Sequence, residues 1–246
     1  HVPKVCMQYG CGDINKTNGI TYYSMLCLIA GFQQSDGINL DVRFSSDYHP
    51  YILFREDKKS EIVVENYNSN QLDSFVENSK IIPLSRLFTY YKRNNLNKTI
   101  VLTLDVNSGF KSKFVKNKKR LVSNISFAID SIVDVFLLDS SIVINSKEIL
   151  LLEEIKRNIP NAECNLIVES TLEKPALQAQ HYNLNGIVVT YKMYNKNKKC
   201  IDVMHYNNLK VTVTGVSTTD ELLDVYYQYP DYIQTSLSDY LNVIQK

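Results

Sequence analysis

Ser35-Asp-Gly-Ile-Asn-Leu-Asp-Val-Arg-Phe-Ser-Ser-Asp-Tyr-His-Pro-Tyr-Ile-Leu-Phe-Arg-Glu-Asp57 is the stretch from which the fold is read. From Gly37 to Phe44 the apolar residues Ile38, Leu40 and Val42 alternate with Asn39, Asp41 and Arg43, the period of a strand with two unlike faces. Tyr51 to Phe54 is a second β-rich run. The connection, Ser45 to Pro50, is too short for a crossover between parallel strands. The two runs therefore form an antiparallel hairpin, with Phe54 roughly across from Asn39 and Asp41.

Outward from the hairpin, strand and helix signals alternate along the whole chain, which argues for a parallel sheet joined by helical crossovers. With the hairpin strand Tyr51 to Arg55 set aside, candidate barrel strands lie at Val5, Gly37, Thr99, Ser141, Asn165, Gly186, Lys210 and Asp231. Eight parallel strands close a barrel, and such barrels run to about 250 residues as one domain. Residues 1–246 are accordingly read as α/β, a single (β/α)8 TIM-type barrel with an antiparallel hairpin inserted after the second strand. Pro83 near the start of Leu84 to Arg93, Ser146 capping Lys147 to Arg157, and Thr219 capping Asp220 to Tyr227 are the helix signals. No linker rich in Gly, Pro or Ser divides the chain, and no repeat of solenoid length is visible.

With 44% apolar residues the chain can bury one large core. A formal net charge of +1 leaves no electrostatic footprint for nucleic acid or an anionic membrane. The basic run Lys111 to Arg120 reads as a solvated helix start. Ile132 to Leu138 is interrupted by Asp134 and far shorter than the roughly 20 apolar residues a bilayer requires, so no transmembrane segment is expected. The chain opens at His1 rather than Met and reads as a processed or trimmed product, removal of a signal peptide being one route. The sequons at Asn15, Asn97 and Asn124 are about as many as chance yields, so the compartment stays open, with a secreted or lumenal setting slightly favoured. Five cysteines leave at least one unpaired within the chain. Cys6 and Cys11 flank the end of the first strand and could pair, whereas Cys6, Cys27 and Cys164 sit in apolar runs that favour buried free thiols.

The blocks Asp36-Gly-Ile-Asn-Leu-Asp-Val42 and Ile52-Leu-Phe-Arg55 resemble the glycerophosphodiester phosphodiesterase family, phosphoric diester hydrolases of lipid metabolism. In that family a strand Asp-Gly-Ile-Glu-Leu-Asp-Val is followed by a hairpin strand ending Val-Ile-His-Asp. Further blocks carry the resemblance along the chain: Val5-Cys-Met-Gln-Tyr-Gly10, Val101-Leu-Thr-Leu-Asp-Val-Asn107, Lys210-Val-Thr-Val-Thr-Gly215 and Pro230-Asp-Tyr-Ile-Gln-Thr-Ser236. The resemblance implies a metal site at Asp41 and Asp105, with Asn39 standing where the family has a Glu. It also implies that the two histidines serving as general acid and base are replaced by Gln8 and Phe54, an arginine by Tyr9, a lysine by Asn107 and a tryptophan by Thr214.

In a barrel of this kind Gln8, Asn39, Asp41, Asp105 and Asn107 converge at the carboxyl ends of the strands. Two carboxylates and two amides make a poor oxygen shell, which could hold a weakly bound Mg²⁺ or Ca²⁺ or no cofactor at all. The plainer role for Asp41 and Asp105 is to pair with Arg43, Arg55 or a lysine at the mouth. General acid and base groups supply about 10²–10⁴ each in rate, and none of His1, His49, His181 and His205 falls on a strand end. The losses implied by the resemblance thus point to a catalytically silent barrel acting as a binding, structural or assembly protein, through an unknown protein partner or self-association. The alternative is an active metal-dependent phosphodiesterase that recruits Glu56, Asp57, Tyr9 or Lys192 as acid and base. The 17 tyrosines, among them Tyr22-Tyr23, Tyr90-Tyr91 and Tyr226-Tyr227, are compatible with an extended contact surface, although such pairs more often split between core and solvent.

Overall fold

The computed structural model describes residues 2–13, 24–53, 63–74, 81–104, 106, 117–138, 141–169 and 173–244. In chain order the strands are β1 (Lys4–Met7), β2 (Gly37–Phe44), β3 (Pro50–Leu53), β4 (Ile81–Pro83), β5 (Thr99–Leu104), β6 (Ile142–Ser146), β7 (Glu163–Ile167), β8 (Gly186–Thr190), β9 (Lys210–Val216) and β10 (Tyr232–Thr235). All except β3 and β4 run parallel, and β1 pairs with both β10 and β2, which closes an eight-stranded barrel. The candidate strands read from the sequence are these eight. β3 returns antiparallel along β2 with Val42 opposite Ile52 and Arg43 opposite Tyr51. The expected position of Phe54 on that ribbon falls outside the described residues. β4, which pairs antiparallel with β3, was not foreseen, because three residues ending in Pro83 are too few to carry a period.

Around the strands lie α1 (Met25–Gln34), α2 (Ser69–Asp73), α3 (Leu84–Arg93), α4 (Lys118–Phe136), α5 (Ile149–Asn158), α6 (Glu173–His181), α7 (Tyr191–Lys196), α8 (Cys200–Tyr206), α9 (Thr219–Tyr226) and α10 (Tyr240–Ile244). The alternation in β2 explains the layering. Ile38, Leu40, Val42 and Phe44 are fully buried in the shell between barrel and helices, whereas Asn39, Asp41 and Arg43 occupy the half-buried inner positions. α3 supplies the matching apolar stripe from Leu84, Leu87, Phe88 and Tyr91, at helical spacing, and ends on Lys92 and Arg93. Two helix starts shift slightly from expectation. α9 is capped by Thr218 in a reciprocal box with Glu221. α5 begins after Glu148, because Ser146 stays in β6 and donates its hydroxyl to the Leu104 carbonyl at 3.1 Å.

The amino-terminal end of the barrel is fastened by one device used three times. Asp36, just before β2, donates its N–H to the Val5 carbonyl and accepts the Val5 N–H on Oδ2 at 2.9 Å. Asn185, before β8, does the same to Cys164, and Asp231, before β10, to Val211. The carbonyl of each then accepts from the next strand, at Thr99, Lys210 and Lys4 respectively. Inside this end, Glu163 accepts hydrogen bonds from Lys210 Nζ at 2.5 Å, Tyr232 OH at 2.9 Å and Asn165 Nδ2 at 3.1 Å. Lys4 and Lys210 both lie about 6 Å from the Tyr232 ring centroid. The barrel is plugged here.

The cysteine pairing differs from expectation. Cys11 bonds to Cys27 on the first turn of α1, while Cys6, Cys164 and Cys200 are buried and free. Cys6 cannot serve as the partner because β1 points it into the barrel, against Val101, Val143 and Tyr232. The repeated clasp yields a prediction with an internal control. Asp36→Ala should cost about 1 kcal/mol or somewhat more in denaturant unfolding, since it strands the buried Val5 N–H. Asp36→Asn should cost much less, because a carboxamide oxygen already fills this role at Asn185.

Candidate functional site

At the carboxyl end of the barrel the inner side chains enclose a cavity of about 180 Å³. β1 contributes Gln8 and the following Tyr9, β2 Asn39 and Asp41, β5 Thr103, β6 Asn145, β9 Thr214 and β10 Gln234. Lys147 and Glu148 lie on the rim after β6. These are the strand ends where such barrels place their ligands.

The loop after β1 is tightly built. Tyr9 has a left-handed backbone (φ 56°), uncommon for a residue with a Cβ. Its position is enforced from three sides. The Cys11–Cys27 disulfide ties the loop to α1. Gly31 on α1 lies so close that a Cβ there would stand 1.7 Å from the Gly10 carbonyl oxygen. Asp13 donates its N–H to the Ser236 carbonyl and accepts the Ser238 N–H, joining the loop to the segment after β10. Gln8 and Tyr9 are therefore presented from a rigid support.

The polar side chains of the cavity are mutually oriented. Gln8 Nε2 donates to Thr214 Oγ1 at 2.8 Å, and Thr103 Oγ1 donates to Asn39 Oδ1 at 3.0 Å. Below them Asn165 Nδ2 donates to Asn145 Oδ1 at 3.3 Å. Charge at the rim is largely committed: Lys147 pairs with Glu169, and Glu148 with Lys118 at 2.8 Å. Arg43, one expected partner of the mouth carboxylates, instead forms a salt bridge with the buried Glu65. Gln234 is 2% exposed, and its Nε2 has no hydrogen-bond partner among the described residues.

Of the residues singled out from the sequence, Gln8, Tyr9, Asn39, Asp41 and Thr214 come together around this cavity. Phe54, Glu56, Asp57, Asp105 and Asn107 lie outside the described residues. Lys192 is exposed on α7 and does not line the cavity. Thr103, Asn145 and Gln234 were missed, although each is a polar side chain that follows an apolar residue at an inner position of its strand. The described histidines are elsewhere: His49 in the β2–β3 turn, His181 exposed on α6, and His205 on α8, bonded to Asp231 at 2.9 Å near the opposite end of the barrel. Among the described residues no group of three or more His, Cys, Asp or Glu could hold a metal ion. Asp41 is the one carboxylate on β2 and the Asn39 oxygen is already engaged, so the described donors alone do not fit a divalent-cation cage.

No protein-family model and no curated protein matches the chain. Solved structures do. A glycerophosphodiester phosphodiesterase from Parabacteroides distasonis superposes with a TM-score of 0.79 at 13% identity, over 99% of this chain and 98% of that one. An Oleispira antarctica phosphodiesterase, solved with its product sn-glycerol-3-phosphate, gives 0.76 at 14% identity over 100% and 98%. The Thermotoga maritima glycerophosphodiester phosphodiesterase gives 0.69 at 14% identity over 100% and 99%. The chain thus has the (β/α)8 fold of glycerophosphodiester phosphodiesterases from end to end. No described helix is long and apolar enough to cross a membrane.

The thiol beneath the cavity is inert by construction. Burial, reinforced by the nearby Asp36 carboxylate, pushes Cys6 up to about 12. Burial likewise pushes Cys164 up to about 12. Both groups stay protonated until far above neutrality, so neither Cys6 nor Cys164 should be alkylated by iodoacetamide at pH 8 in the folded protein. Mass spectrometry should find both modified only after denaturation.

Proposed function

We propose that the chain is a catalytically silent barrel of the glycerophosphodiester phosphodiesterase type, acting as a binding, structural or assembly protein. The observation that carries this reading is Gln8. It stands where the resemblance requires an acid–base histidine, and its carboxamide is committed to Thr214. A carboxamide neither takes nor gives a proton near neutral pH. None of the described histidines, His49, His181 and His205, lines the cavity to replace it.

The other groups that phosphodiester hydrolysis needs are weakened in the same place. Asn39 lacks the charge of a metal-binding carboxylate, and a tightly held divalent cation is not part of this reading. Among the described residues the rim lysine, Lys147, is paired with Glu169 rather than held for a phosphate. Of the alternative acid–base set, Tyr9 and Lys192 are described; Tyr9 lines the cavity, whereas Lys192 does not.

Purified protein should hydrolyse glycerophosphocholine and glycerophosphoethanolamine no faster than the uncatalysed background with Mg²⁺, Ca²⁺ or Mn²⁺ present. Turnover that disappears in Asp41→Ala would reverse the reading. The double variant Gln8→His with Phe54→His should recover little activity, because Asn39 would still lack a negative charge for the metal.

A further inference from the structure

We propose that α4 is a self-association surface, on which a second copy of this chain docks its own α4 antiparallel across a two-fold axis at Phe127. The inference concerns the outside of the barrel and stands whether or not the mouth hydrolyses a substrate. Arg120, Ser123, Phe127, Ser131 and Asp134 are all exposed, and their spacing keeps them on one face of the helix. Phe127 is 67% exposed, and Val135 beside this stripe is 74% exposed. An apolar cleft between α4 and the β2–β3 turn, lined by Tyr48, Pro50, Ala128, Ile132 and Phe136, continues the surface along one flank.

The stripe has the same spacing read from either end, and its two ends differ in the sign of their charge. A two-fold axis at Phe127 therefore sets Ser123 against the partner's Ser131 and Arg120 against the partner's Asp134, each pairing occurring twice. The two phenyl rings meet at the axis, and the short serines on either side leave room for them.

The charge order of α4 is what favours a copy in this orientation. Lys118, Lys119 and Arg120 occupy its first turn and Asp130 and Asp134 its second half, with no charged residue between. This order opposes the helix dipole, which favours acidic residues at the start and basic ones at the end. Lys118 is paired with Glu148, but Arg120 and Asp134 have no ion-pair partner among the described residues. An antiparallel copy lays an acidic helix end beside a basic start at both ends of the contact, whereas a parallel copy sets like charges together. A single pair of helices about 28 Å long buries less than the roughly 1,200 Å² of a standard interface, so a weak dimer is expected, forming at about 10–500 µM protein.

The test is sedimentation velocity up to about 500 µM protein in low salt, where exposed charges are least screened. A reversible monomer–dimer equilibrium with nothing larger is expected, since a two-fold contact closes on itself. Phe127→Ser should weaken dimerisation at least tenfold without lowering the thermal midpoint, because the ring is exposed in the monomer. Arg120→Asp or Asp134→Arg alone should weaken it severalfold, and the two reversals combined should restore it, the ion pairs re-forming in the opposite sense. Phe127→Cys should cross-link to a covalent dimer with copper phenanthroline as oxidant, the native free thiols Cys6, Cys164 and Cys200 being buried. A monomer throughout, higher oligomers, a dimer indifferent to Phe127→Ser or to the single reversals, a double reversal that stays monomeric, or a Phe127→Cys variant that does not cross-link would overturn the proposal. Glycerophosphodiester turnover on the same samples bears on the silent mouth alone, because of this stripe and Val135 no residue lines the mouth cavity.

Discussion

The barrel depends on how its first strand is held. β1 is only four residues long, yet it must bridge β10 and β2 to close the cylinder. Its ladder with β2 covers just two residue pairs, and Asp36 extends that seam by binding both backbone groups of Val5. Gly37 follows because the strands are then too close for a side chain: a Cβ there would stand 2.2 Å from the Thr99 carbonyl oxygen. The same economy explains Asn185-Gly186, where a Cβ would meet the Lys210 carbonyl oxygen at 2.3 Å.

These fasteners and the Glu163 cluster sit at the amino-terminal end, whereas the cavity lies at the other. Stability and chemistry therefore occupy separate poles of the same cylinder. A sequence can replace inner residues at the mouth while the closure at the base stays intact, and the high structural similarity at 13–14% identity fits that separation. Between the poles the interior carries buried Asn145, Asn165, Thr212 and Gln234 in place of the branched apolar layers common in such barrels. Asn165 Nδ2 donates to Asn145 and to Glu163, whereas Asn165 Oδ1 and Gln234 Nε2 have no hydrogen-bond partner among the described residues.

The architecture was legible because it rests on short-range physics. Alternation in Gly37–Phe44, a turn too short for a crossover, and apolar runs separated by helix signals fix eight strands and one hairpin. Asp36-Gly-Ile, read as part of a resemblance to an active-site strand, turns out to begin with a structural clasp, and its echoes at Asn185-Gly-Ile and Asp231-Tyr-Ile were in the sequence unread. The cavity was only half legible. Gln8, Asn39 and Asp41 follow from strand ends, but the unmatched amide of Gln234 and the Cys11–Cys27 bond depend on distances between residues remote in sequence. The two described tyrosine pairs behave as their spacing suggests, with Tyr91 buried beside half-exposed Tyr90, and Tyr227 out beside Tyr226, while Tyr22-Tyr23 lies outside the described residues.

The ribbon of β3 and β4 breaks the circular symmetry of the barrel, and with it comes an edge. The eight barrel strands have neighbours on both sides, so among the described strands β4 alone presents an unpaired backbone row. That row is three residues long and ends in Pro83, which has no N–H to offer. An incoming strand would find too few hydrogen bonds to hold it. Among the described strands the sheet offers little for extension, so contacts made there fall to side chains on the surface, which can change without disturbing the fold.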